Sequence, residues 1–166
     1  REYIQSKLVN KLDANTKYCI DFYISRADSC QYATSKIGIL FTPYPVSKTD
    51  YQAIRETPQI TTGNSFIKDA TNWIHYNFEY IADGTEEYIT IGNFDDKAST
   101  DTVTILNYVT TCGPNPAYYY IDNISIIKCT DRSSIFIPNV FTPNNAGIND
   151  IFYIKTQNIN ECAMEI

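Results

Sequence analysis

An all-β fold, a sandwich of antiparallel strands, is what this sequence predicts. Three observations point there. Apolar and polar residues alternate strictly in segment after segment, with turn residues between them. No segment keeps an i, i+3, i+4, i+7 apolar pattern through three turns. Tyrosine appears 14 times, and Thr, Ile and Asn are plentiful. Tyr, Thr and Ile suit a pleated, half-buried surface, and Asn suits turns.

Taken in order, REYIQSKL opens the chain as a strand. In KYCIDFYISRA, Tyr18, Ile20, Phe22 and Ile24 share one face, and Asp21, Tyr23 and Ser25 take the other. In KIGILF, Ile37, Ile39 and Phe41 share a face. The stretch from Thr42 to Thr62, with Pro43, Pro45 and Pro58, reads as a long loop. It holds at most one helical turn, at Tyr51 to Arg55. In NWIHYNFEYIA, Ile74, Tyr76, Phe78 and Tyr80 point one way; Trp73, His75, Asn77 and Glu79 point the other. EEYITIGNF, a second long loop from Asn93 to Thr102, TVTILNY and YYYIDNISII complete seven expected strands up to Lys128. Such a string predicts a β-sandwich. Long loops on a rigid sandwich are the usual place for binding.

After Lys128 the character changes. Residues 129–134, CTDRSS, are polar and aperiodic and read as a linker. Residues 135–166 then read as the start of a second domain. Its first run is FIPNVFTPNNAGINDIF, from Phe136 to Phe152. Pro138 and Pro143 lack an N–H and cannot sit within a ladder. They favour extended residues at Ile137 and Thr142. Phe136, Val140 and Phe141 supply anchors. The run Asn144 to Gly147 forms a turn, and Ile151 to Ile154 form a strand. A stiff, aromatic-anchored arm leading into a sandwich edge is the physical reading. Asn145, Asn149 and Asp150 serve the turn by hydrogen bonding; the EF-hand spacing for calcium is absent.

Composition excludes several function classes. The net charge is −6 and there is no long Lys/Arg cluster, so nucleic acid is not an expected partner. No run approaches the roughly 18 apolar residues of a membrane span. Catalysis is not expected either. GxSxG, HExxH and P-loop motifs are absent, and the one histidine, His75, lies on a polar strand face and reads as solvated. Glu86 and Glu87 are adjacent, so on a strand they diverge and form no acid pair. Cys19, Cys30, Cys112, Cys129 and Cys162 form no CxxC pair. They read either as disulfides of an exported protein, with at least one left over, or as small buried apolar residues. Binding is the favoured role. Tyr44 and Tyr51 are loop aromatics on which a sugar ring can stack, with Trp73 behind them as ligand contact or as packing.

Two resemblances extend this reading. IFIPNVFTPNNAGINDIFYIK resembles the opening of the type B C-terminal sorting domain of the type IX secretion system, the gliding motility-associated C-terminal domain of Bacteroidetes. Phe136, Pro138, Asn139, Phe141, Thr142, Pro143, Asn144, Gly147, Asn149, Asp150 and Phe152 match that family's opening in order and spacing. Ala146 stands where the family usually has Asp. The family domain is an Ig-like β-sandwich and runs further, so only its start is expected here. REYIQSKL, FYISRADSCQYATSKIGILF, TPQI, DATNW (69–73), EEYITIGNF and YYYIDNISI look like a jelly-roll module akin to carbohydrate-binding and galactose-binding-like sandwiches. Relatives of that module begin earlier, so its first strands are expected to be missing.

The resemblances imply a secreted, cell-surface protein exported across the outer membrane by the type IX machinery and held by outer-membrane attachment components. Its jelly roll (residues 1–128) is then an adhesin or glycan-binding module. The alternative is a structural spacer or protein-interaction module of a larger surface protein with a catalytic domain upstream. No cofactor is implied with certainty. Modules of this kind often place an Asp of the last strand on a structural calcium, which here falls on Asp122. Asp101-Thr102-Val103 resembles the short O-glycosylation motif of Bacteroidetes, with Thr102 as acceptor.

Overall fold

The computed structural model describes residues 3–47, 52–105, 117–131, 133–136, 155–159 and 161. It is all-β, with no α-helix among the described residues. Two compact units divide the chain, residues 1–126 and 127–166.

The first unit is a β-sandwich. Four strands form one sheet in the order β1 (Tyr3–Lys7), β7 (Tyr88–Gly92), β4 (Gly38–Thr42), β5 (Ile60–Thr61). Three form the other, β6 (Ile74–Ile81), β2 (Lys17–Arg26), β9 (Tyr119–Lys128). A short ribbon pairs β3 (Tyr32–Thr34) with β8 (Thr102–Thr104). Between the two sheets the chain crosses repeatedly: β1, β4 and β7 lie in one, β2, β6 and β9 in the other.

Strand periodicity builds the core. Tyr18, Ile20, Phe22 and Ile24 of β2 face Ile37, Ile39 and Phe41, with Ile89 and Ile91 of β7 beside them, all buried. Ile74, Tyr76, Phe78 and Tyr80 of β6 close the flank, half-buried. Phe22 stacks on Tyr76 at 5.5 Å between ring centroids, and Phe41 stacks on Tyr80 at 4.9 Å. Such pairs add to the burial of large apolar area. Tyr119 joins the core from β9. Its hydroxyl accepts from Thr34 N–H at 2.7 Å and donates to Ile67 O at 3.1 Å. Burial pushes that phenol up to about 12, so it stays protonated.

The loop from Thr42 to Thr62 folds back instead of standing free. Ala53 and Ile54 are buried, Ile54 N–H donates to the Tyr3 hydroxyl at 3.0 Å, and the amide of Gln5 donates to Val46 O at 2.7 Å. Gln59 acts as a surrogate strand residue. Its amide accepts from Phe41 N–H at 2.8 Å and donates to Phe41 O at 3.0 Å. No helical turn forms over residues 52–55; Tyr51 lies outside the described residues. The loop's apolar residues gain more from covering the sheet than from closing an isolated turn.

A buried charged residue secures each end of the sandwich. Arg26, at the end of β2, donates from Nε to Lys68 O and from Nη1 to Ala27 O and Cys30 O, at 2.8–3.0 Å. At the other end Glu86 and Glu87 precede β7 rather than lying within it, and their side chains part: Glu86 is buried, whereas Glu87 is partly exposed with its Oε2 4.0 Å from Lys7 Nζ. Only 1% of Glu86 is exposed. Its Oε1 accepts from the Tyr80 hydroxyl at 2.6 Å and from Asp83 N–H at 2.8 Å, and its Oε2 accepts from Gly84 N–H at 2.9 Å. Gly84 has φ +89°, and a Cβ there would lie 2.8 Å from that of Ala14. Burial alone would raise the Glu86 pKa, but these donors outweigh it and hold the carboxyl below its ordinary value.

In the second unit Cys129–Asp131 form a 3-10 turn within the stretch expected as linker. Strand β10 (Ser134–Phe136) then pairs antiparallel with β11 (Lys155–Gln157). Asn158, at φ 54°, donates from its side-chain amide to Thr130 O, and its own carbonyl accepts from Ser133 Oγ.

Because its pKa is depressed, Glu86 contributes stability that is fully present above the ordinary value of 4.5 and is lost as pH falls through the lower, folded-state value. Glu86→Ala strands three donors and should cost about 2–3 kcal/mol in denaturant melts. Glu86→Gln should flatten the acid limb of the stability curve relative to the parent; an unchanged limb would show that Glu86 does not drive it.

Candidate functional site

The side chains best placed to meet a ligand lie on the outer face of the three-stranded sheet. Because Tyr18, Ile20, Phe22 and Ile24 enter the core, the intervening residues of β2 must face outward. The same parity turns His75, Asn77 and Glu79 of β6 outward. Register then sets the pairs: Tyr23 opposite His75, Asp21 opposite Asn77, and Cys19 opposite Glu79.

These pairs form a compact polar and aromatic group. The Tyr23 ring stacks on the His75 ring at 4.7 Å with 17° between planes. His75 Nε2 lies 2.9 Å from Asp21 Oδ1, and the Asn77 amide donates to the same oxygen at 2.7 Å. Lys17 Nζ meets Glu79 Oε2 at 2.8 Å further along. On β9, Tyr119 points inward, so Tyr118 and Tyr120 flank the outer side. Both are exposed, with their rings edge to face at 5.9 Å. Ala27 N–H donates to Tyr118 O, which sets Tyr118 beside the end of β2. Trp73, immediately before β6, is half exposed at this same end. An aromatic pair beside a fixed carboxylate and an amide suits a polyhydroxylated ring: C–H faces stack, and hydroxyls bond to the polar groups.

The residues singled out from the sequence are scattered. Tyr44 follows β4 and is exposed, its carbonyl accepting from Thr42 Oγ1 at 2.7 Å. Thr42 pairs with Tyr88, beside the Ala82–Glu87 connection that follows β6, whereas Trp73 immediately precedes β6. Tyr44 and Trp73 therefore lie at opposite ends of the sandwich, and Trp73 does not back Tyr44. Asp122 is exposed in β9 beside Asn123, which has φ 53°, and its Oδ1 accepts from Asn123 N–H at 2.7 Å. It belongs to no group of three His, Cys, Asp or Glu ligand atoms among the described residues. Thr102 is exposed in β8. Phe136 ends β10, while Tyr51 and the motif residues Pro138, Asn139, Phe141, Thr142, Pro143, Asn144, Gly147, Asn149, Asp150 and Phe152 lie outside the described residues. Cys19, Cys30 and Cys129 are each disulfide-bonded, which decides for them between the two readings of the cysteines.

Sequence reasoning put Asp21, Tyr23, His75 and Asn77 on polar strand faces but did not join them as a site. The signal that joins them is the pairing of β2 with β6, which alternation alone does not specify.

If this face exists to meet a ligand, its side chains add little to the fold. Asp21→Asn and Tyr23→Ala should each cost no more than about 1 kcal/mol of unfolding free energy. Wholesale unfolding of either variant in thermal melts would make the cluster a structural element instead.

Compared with known protein families, curated proteins and solved structures, the chain matches none.

Proposed function

We propose that this chain is part of an exported cell-surface protein whose sandwich unit binds glycans and whose C-terminal region carries a secretion and attachment signal. The binding half rests on one observation: Tyr23 stacked on His75 beside the Asp21 carboxylate, which already holds two donors in place. A preorganised carboxylate next to an aromatic face recognises a sugar at little ordering cost. The export half rests on the run Phe136 to Phe152, which resembles a type IX type B sorting motif. Disulfides at Cys19, Cys30 and Cys129 support an oxidising, extracellular setting.

Glycan-array binding by the intact chain, lost in Tyr23→Ala and Asp21→Asn but kept in Tyr44→Ala, is the expected outcome. Loss in Tyr44→Ala alone would move the site to the loop, and silence of the parent chain would end the glycan reading. Deleting everything after Ser134 in the native host should leave the protein unexported; normal secretion of that truncation would end the sorting reading.

A further inference from the structure

Strand β6 lies at the edge of its sheet and pairs with β2 alone among the described residues. A strand edge presents unpaired N–H and C=O groups, and folded proteins usually blunt it. The other edges of this sandwich are blunted. Strand β5 is two residues long, β1 carries Lys7 and is bridged through Gln5 to Val46, and β9 carries Asn123 at a positive φ of 53°. Strand β6 has eight residues, IHYNFEYI, with no Lys, Pro, Gly or positive φ.

Its sequence is also self-complementary. In an antiparallel pair centred on Asn77, residues equally far from the centre stand opposite one another and share a face. Tyr76 then meets Phe78 of the second copy, His75 meets Glu79, Ile74 meets Tyr80, and Trp73 meets Ile81. The flanking pairs are aromatic or apolar on the inner face, and the outer pairs inside Trp73–Ile81 match polar residues with polar ones. Trp73 and Ile81 are 49% and 64% exposed, and this register covers each with the other. The half-buried inner residues Ile74, Tyr76, Phe78 and Tyr80 gain neighbours along the edge.

We infer that β6 is a homodimerisation edge, joining two copies about a twofold axis through Asn77 into one six-stranded sheet. The pairing is isologous, so it closes at two copies and consumes the exposed edge. It covers Trp73 and Ile81 at the rim of the outer face, leaves Asp21 and Tyr23 of β2 open, and sets the two faces side by side. The inference stands apart from the glycan reading.

Sedimentation equilibrium of the intact chain should give twice the 19.0 kDa chain mass. Ile81→Glu, which sets a carboxylate against Trp73 of the second copy at both ends, should weaken the dimer roughly tenfold or more. It should keep the parent's circular dichroism and cooperative melt, since Ile81 is solvent-exposed in the single chain. Trp73→Lys combined with Ile81→Glu should restore association through Lys–carboxylate pairs. A parent chain that stays monomeric at the highest concentration reached, or a dimer that Ile81→Glu leaves intact, overturns the inference. Failure of the double variant to recover association overturns the register about Asn77.

Discussion

Phe22, Ile20 and Ile24 are fully enclosed between two sheets, and most other features follow from that enclosure. They belong to β2, the middle strand of its sheet, so hydrogen-bonded neighbours fix its backbone on both sides. A slip of one residue would turn this row to water and send Asp21 and Tyr23 into the core. Loss of such a row and burial of a carboxylate without its partners are both costly, so the register is strongly specified. The outward row is therefore as well determined as the inward one. Asp21, Tyr23, His75 and Asn77 are placed by the core although they contribute little to it.

The ends of the sandwich obey a different constraint. Loops bring backbone groups into regions where water is scarce, and each group then needs a partner. Arg26 meets three carbonyls at one end, and Glu86 meets two N–H groups and a phenol at the other. One charge supplies donors where carbonyls converge, and the other supplies acceptors where N–H groups converge. Among the described residues, two buried hydroxyls, Ser35 Oγ and Thr90 Oγ1, find no partner. Thr90 lies under the covered side of the four-stranded sheet, where Leu40, Ala53 and Ile54 are also buried. The loop that covers this side is thus committed to packing, which leaves the outer face of the three-stranded sheet as the surface rich in exposed aromatic and polar groups.

A flat sheet face and a loop recognise ligands differently. A face built on paired strands holds its groups rigidly, so binding pays little to order them. Cross-strand neighbours set the spacing between an aromatic ring and a carboxylate, and sugar recognition needs such a spacing. An edge that pairs with its own copy would lengthen that platform without altering either half, and two weak sites side by side bind a repetitive surface far better than one.

Alternation by itself determined much of this protein. In KYCIDFYISRA and NWIHYNFEYIA it specified strands, their inward rows and their outward rows, because a period of two has only one amphipathic solution. It also marked the outward position of Trp73. Tertiary structure alone decided which strands are neighbours. Asp21 and Asn77 are far apart in the chain, and nothing local to either encodes their shared hydrogen bond. The short strands β3 and β5, the folding back of the Thr42–Thr62 loop and the burial of Glu86 were invisible for the same reason. Each depends on what a distant segment offers, and one-dimensional patterns carry no distances.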